Sequence, residues 1–191
     1  MPYITAWSGE TADDRPLVMR RGRLQYHPPL PGDFDSHGVL WLHQRITPGI
    51  GTPCFSAVHT PRQRRAMLRL LCQICGQPAD RTSEGVLWLL PGPLTGAAEG
   101  EITTHPPVCA PCAPLALAHC PNLRRHATAL RARRPEADHL YGTLFRPTPD
   151  GPAAVRNTHV LRGSHYTPWF RAAHIATTLN EVTPVSLPRL P

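Results

Sequence analysis

Apolar positions along this chain fall in short runs broken by proline and glycine, a pattern that predicts an α+β fold of short elements. Apolar-rich stretches at 3–7, 17–26 and 39–44 read as strands, the last two separated by the turn-forming run 28–35. Thr60-Pro61 then supplies an N-cap and a first-position proline for a helix over 62–71. Met67, Leu70 and Leu71 share one face of that helix, and Arg62, Arg65 and Arg69 another. The run GVLWLL at 85–90 is a strand, with 102–108 as its expected hairpin partner across the loop 91–100. Helices are predicted over 114–120, ended by Pro121, and over 122–134, where Leu123, Ala127 and Leu130 lie on one side before Pro135. Strands at 140–146 and 158–161, a helix over 169–179 capped by Thr167-Pro168, and a closing strand at 182–187 complete the reading. Phe170, Ala173 and Leu179 are the inward positions of the last helix, and Trp41, Trp88, Trp169 and Phe170 sit in apolar runs as core residues.

The elements group into a β-rich part (1–60), a middle module with flanking helices (61–134) and a small αβ part (135–191). GVLWL occurs at 38–42 and again at 85–89, but only the second copy has cysteine pairs beside it, so the match reads as two similar buried strands.

Chemistry concentrates in the middle module. Cys72-Gln73-Ile74-Cys75 runs into Gly76, and Cys109-Ala110-Pro111-Cys112 opens a helical run further on. Two CxxC pairs can place four thiolates around one tetrahedral Zn²⁺, for which sulfur ligands are well suited. The order of knuckle, hairpin and helix resembles a treble-clef zinc finger over residues 72–120. That resemblance implies a Cys₄ module embedded between the β-rich and αβ parts, with Zn²⁺ structural and Cys72, Cys75, Cys109 and Cys112 its ligands. In outline the module is also similar to HNH nucleases. Where that family carries a histidine base, this chain has Leu87-Trp88-Leu89-Leu90-Pro91, with the proline kept and no imidazole to activate water. His105 and His119 lie nearby but off the matching positions. Cys109-Ala110-Pro111-Cys112 is similar as well to the redox pair of thioredoxins, which leaves a thiol redox role as a further alternative. Cys54, His59, Cys120 and His126 form an arithmetically possible second set; a plain loop or core cysteine is the simpler reading of Cys54 and Cys120.

Composition narrows this further. The chain has 191 residues, 24 of them proline, and only 17% are charged. All 20 basic residues are arginine and the net charge is +7, which suits phosphate contacts and equally suits compositional bias. Arg62, Arg64, Arg65 and Arg69 precede the module, and Arg124, Arg125, Arg131, Arg133 and Arg134 follow it. A patch built from Arg62, Arg65, Arg69, Arg124, Arg125 and Arg131 is the candidate nucleic-acid surface; two solvated helix faces are the alternative. The first residues have no signal-peptide pattern, and no apolar stretch approaches the ~20 residues of a membrane span. A reducing, cytoplasmic setting is expected. The chain as a whole resembles uncharacterised zinc-finger proteins of high-GC actinobacteria, a likeness that implies no activity. The expected function is a non-enzymatic, zinc-stabilised binding or adaptor protein, with DNA or RNA the first partner and protein the second.

Overall fold

Long antiparallel strands, more than helices, build this protein. A computed structural model describes residues 1–92 and 99–186. Among them only three helices occur: α1 (Thr60–Arg69), α2 (Cys112–His119) and α3 (Pro121–Arg125). The chain is mixed α+β, with strands dominating.

The N-terminal part holds β1 (Thr5–Trp7) paired with β5 (Pro53–Val58), and the hairpin of β2 (Leu17–Arg20) with β3 (Arg23–Tyr26). The stretch expected as one strand over 17–26 folds back on itself because Arg21 and Gly22 both take positive φ (51° and 74°), the geometry of a tight hairpin turn. β4 (Leu40–Trp41) is shorter than its apolar run and joins the main sheet.

The main sheet is organised on β9 (Ala127–Thr148), a 22-residue strand. Its first part pairs with β7 (Gly85–Pro91) and its last part with β10 (Gly151–Leu161). On its other edge it pairs along nearly its whole length with β11 (Phe170–Pro184). β6 (Arg81–Thr82) closes a tight hairpin on β7, while β8 (Glu101–Thr103) pairs with β11. The strand expected over 102–108 therefore partners β11 and not β7. β9 runs without a break through residues 134 and 135, where a boundary between parts is expected.

Two expected helices are strands. The segment 122–134 is helical only to Arg125, and the chain then extends into β9. Ala and Arg favour helix weakly, but here Leu130 and Ala132 alternate into a core with Val86, Trp88, Leu90 and Leu179, and packing overrides propensity. The segment 169–179 has one 3-10 turn at Thr167–Trp169 and then becomes β11. Register shifts between Ala172 and His174 and between Ala176 and Thr178 explain the misreading. Beyond Phe170 they put the buried apolar positions at 172, 175, 176 and 179, a helical spacing produced by β-bulges. Ala173 is half-buried, and Trp169 stays 36% exposed, its indole N–H donating to the Gly22 carbonyl. The closing strand expected over 182–187 is the end of β11, and Leu187 lies outside the described residues.

α1 forms as the Thr60-Pro61 pair suggests, shifted by one residue: His59 is the N-cap, its ring nitrogen accepting from the Arg62 N–H. Met67 packs the helix onto Val39, Trp41, Leu140, Val160, Phe170 and Ile175. Gln63 does more. β11 pairs with β4 at Arg171–Ala172 and with β8 from Thr177, leaving Ile175 facing a gap. The Gln63 amide fills it: Oε1 accepts from the Ile175 N–H at 3.1 Å, and Nε2 donates to the Ile175 and Thr104 carbonyls at 2.8 Å. Gln63→Leu strands three buried backbone groups and is expected to cost about 3 kcal/mol in urea unfolding; a loss below about 1 kcal/mol would mean water takes over the gap.

β7 is buried on both faces. Val86, Trp88 and Leu90 face the core shared with β9, and Leu87 and Leu89 face the cysteine module. Among the described residues no helix is long and apolar enough to cross a membrane.

Candidate metal centre

α1 ends where Leu70 turns left-handed (φ 50°), and the Leu71 N–H returns to the Ala66 carbonyl at 2.8 Å. This cap aims the chain at Cys72. The Cys72 N–H donates to the Gln77 carbonyl at 2.7 Å, and the Gly76 N–H to the Cys72 carbonyl at 2.9 Å, so residues 72–77 close as a knuckle. Gly76 has φ 73°, and a Cβ there would stand 2.9 Å from the Tyr3 ring, so both conformation and space call for glycine. The N-terminus clamps the outside of the knuckle through Tyr3 N–H to the Ile74 carbonyl (2.8 Å) and Ile4 N–H to the Gln73 carbonyl (3.2 Å).

The second pair is brought up by backbone bonds to β7 and to the knuckle. Val108 donates to Leu87 at 3.0 Å, and Gln73 donates to Pro107 at 2.9 Å. Cys112 and Ala113 both return to the Cys109 carbonyl at 3.1 Å, which turns the chain into α2 with Cys112 as its first residue.

All four Sγ atoms consequently lie within 4.8 Å of one another, with Cys75 and Cys109 at 3.7 Å. A tetrahedral ion with metal–sulfur bonds of ~2.3 Å needs sulfurs about 3.8 Å apart, so the spacing fits. These four cysteines can hold a metal ion. Cys72 and Cys112 are buried, Cys109 half-buried and Cys75 exposed, so the cluster has a dry side and a wet one. Burial pushes the Cys112 thiol well up, with the Cys109 sulfur adding to it, and burial raises Cys109 too. Cys72 goes the other way: burial opposes ionisation there, but backbone N–H groups aimed at its sulfur outweigh it.

The chain matches no family model, curated protein or solved structure. What the centre does must be read from its own residues.

Among the described residues no other group of His, Cys, Asp and Glu side chains comes close enough to share an ion. Cys120 packs against the module's apolar core with Leu117. His59 is fully buried, its Nε2 donating to the Arg45 carbonyl at 3.0 Å while Nδ1 caps α1. It takes no part in a second metal set with Cys54, Cys120 and His126. The His105 carbonyl accepts from the Trp88 indole N–H at 2.9 Å, and neither His105 nor His119 belongs to the cluster.

The six arginines of the expected surface divide. Arg62 forks onto Glu10 with two 2.6 Å bonds and also donates to the Thr5 carbonyl. Arg131 is bonded to Asp80 and donates to the Gly85 carbonyl at 3.1 Å. Both side chains are only 12% exposed, committed to the interior. Arg65, Arg69, Arg124 and Arg125 are exposed. α1 packs on β11, and α3 packs through Leu123 on the Leu87–Leu89 side of β7. Acids 52 and 51 residues away in sequence, as Glu10 and Asp80 are, leave no local pattern by which Arg62 or Arg131 is recognised as taken.

Proposed function

We propose that this chain is a non-enzymatic, zinc-stabilised nucleic-acid-binding protein whose Cys₄ module is a treble clef with a structural role. The observation that carries the zinc reading is the donor set: four cysteine sulfurs at tetrahedral spacing fill the coordination shell and leave no position for water or substrate. Knuckle, β6–β7 hairpin and α2 follow the treble-clef order, with Gly76 in the knuckle and Cys112 opening the helix. A closed sulfur shell is the signature of an ion that builds a surface and does not perform a reaction. The apolar strand Leu87–Leu90, buried on both faces, offers no base to a nuclease mechanism. A thiol redox role needs a free Cys109 thiolate, and in the zinc reading that sulfur is committed to the ion.

Nucleic acid is the partner class favoured by the net charge of +7 and by arginines that keep their guanidinium groups in solvent. Arg124 and Arg125 sit directly after the metal module, so their placement depends on it. Elemental analysis is expected to return one zinc per chain, and a labelled single-stranded oligonucleotide to bind with affinity that falls steeply with salt. Replacing both Arg124 and Arg125 with alanine removes two phosphate contacts and should flatten the log Kd against log salt slope by about 1.4. Zinc-loaded protein that binds no oligonucleotide at low salt would refute the nucleic-acid half of the proposal and leave the structural-zinc half standing.

A further inference from the structure

β10, β9 and β11 lie side by side, and their two faces differ in kind. One face carries Leu140, Val160 and Ile175 into the core under α1. The other carries rings. Tyr141 pairs in register with His174 on β11 and with His159 on β10. The Tyr141 and His174 rings are nearly parallel (11°) with centroids 6.0 Å apart; the Tyr141 and His159 centroids are 5.0 Å apart. His159 is exposed and the other two half-exposed, so the row opens to solvent. His105, two residues beyond β8, lies near enough to His174 for its charge to be felt there. One step along the strands, Thr143 donates to Asn157 at 2.8 Å. On the opposite side His139 meets Asp138 and Thr178.

We propose that this face binds single-stranded RNA, with His174, Tyr141 and His159 as the surfaces on which successive bases stack. The proposal rests on the nucleic-acid reading above and assigns it a surface. A solvated sheet face ordinarily carries charged or small polar side chains; this one carries planar rings in a line across three strands. Burial holds His174 down at about 4, so near neutral pH its imidazole is an uncharged flat ring with one donor and one acceptor, and the same cause lowers His159 and His105. Such rings suit base faces and base edges and not phosphate. A β-sheet face lined with aromatic rings is one of the recurrent ways of holding splayed-out RNA bases. Phosphates need cations, and Arg171 on β11, in register with Thr143 and with its guanidinium 5.6 Å from the Phe145 ring, is an arginine on this side of the sheet. The one carboxylate beside the row, Asp138, is engaged by Thr178 and His139. Thr143, Asn157 and the imidazole nitrogens supply hydrogen-bond partners for a ribose 2′-hydroxyl, which favours RNA over DNA. Among the described residues the row's histidines belong to no group of three or more His, Cys, Asp or Glu side chains able to share an ion.

The test is fluorescence anisotropy of a labelled 12-nucleotide RNA of mixed sequence with the full, zinc-loaded chain at low salt. Stacking on each ring predicts that His159→Ala and Tyr141→Ala each weaken binding about 5- to 100-fold. His159→Phe should keep it within about threefold of wild type, since a flat ring remains. His159 is exposed on an edge strand, so its variants will fold, and zinc content verifies that they have. Unchanged affinity in His159→Ala and Tyr141→Ala would overturn this surface while leaving nucleic-acid binding intact elsewhere. Equal affinity for DNA of the same sequence would overturn the RNA assignment. No binding by the wild type would remove this proposal together with the nucleic-acid reading on which it rests.

Discussion

Cys72→Ala is expected to abolish metal binding and to unfold the module from the knuckle through α3, leaving α1 and the β9–β11 strands as the surviving structure. Cys72 is fully buried, and its sulfur is part of the apolar core that holds Leu87, Leu89, Val108, Ala113 and Leu123. The regular structure around that core is slight: a two-residue β6, an eight-residue α2 and a five-residue α3. Metal binding to structural thiolate sites contributes about 10–16 kcal/mol in zinc-finger peptides, comparable with or above the 5–15 kcal/mol that a typical domain has in total. A module this small has nothing of that size to replace it. A strong chelator should reproduce the result in the wild type. Cys75→Ala is expected to be milder, because Cys75 is the exposed ligand and water can take its place. Hydrogen exchange reads the outcome: protection should vanish between residues 71 and 125 in Cys72→Ala, and persist on the paired amides of β9 and β11. Full protection in metal-free Cys72→Ala would show that packing alone holds the module.

The metal cluster was legible because its signal is local. Each CxxC pair declares itself within four residues. α1 and β7 were legible for the same reason, the first by its Thr-Pro start and the second by an unbroken apolar run with turn residues on either side. β9 and β11 were not. Their pairing joins residues from 26 (Leu144 with Phe170) to 54 (Leu130 with Pro184) positions apart, and bulges in β11 reshape a period of two into the apolar spacing 172, 175, 176, 179. A reader of periodicity has no means of telling that stripe from a helix. Arg62 and Arg131 failed as surface candidates through long-range partners, Glu10 and Asp80, that no helical wheel displays. The ring row left a faint trace, the alternation His139, Tyr141, Thr143 and then Asn157, His159. It becomes a surface only once β10 and β11 flank β9.

Arg62→Ala is expected to cost about 3–5 kcal/mol, because it leaves the Glu10 carboxylate buried without its counter-charge. The Glu10 side chain is fully buried, and its oxygens accept two bonds from the Arg62 guanidinium and one from the Trp7 N–H at 2.9 Å. Burial alone would raise its pKa; the Arg62 bonds and the Trp7 N–H outweigh that and bring it from an ordinary 4.5 down to about 2. A carboxylate depressed in the folded state stabilises fully above its unfolded pKa and loses that stabilisation as pH falls through the folded one. The window here runs from about pH 5 to pH 2, and the difference amounts to about 3 kcal/mol. Urea melts of wild type and Glu10→Gln at stepped pH separate this contribution from the other depressed carboxylates, Asp13, Asp33, Asp35, Glu99 and Asp138. The wild type should lose about 3 kcal/mol more than Glu10→Gln between those pH values, so that the two curves converge toward pH 2. Parallel curves would mean that Glu10 titrates alike in folded and unfolded chains and that the fork to Arg62 contributes packing alone. The double change Glu10→Gln with Arg62→Met should recover most of what Arg62→Ala loses, since a neutral pair of similar volume leaves no buried charge to strand. The link between β1 and α1 is then held by shape, and the metal module beyond α1 keeps its position without an ion pair behind it.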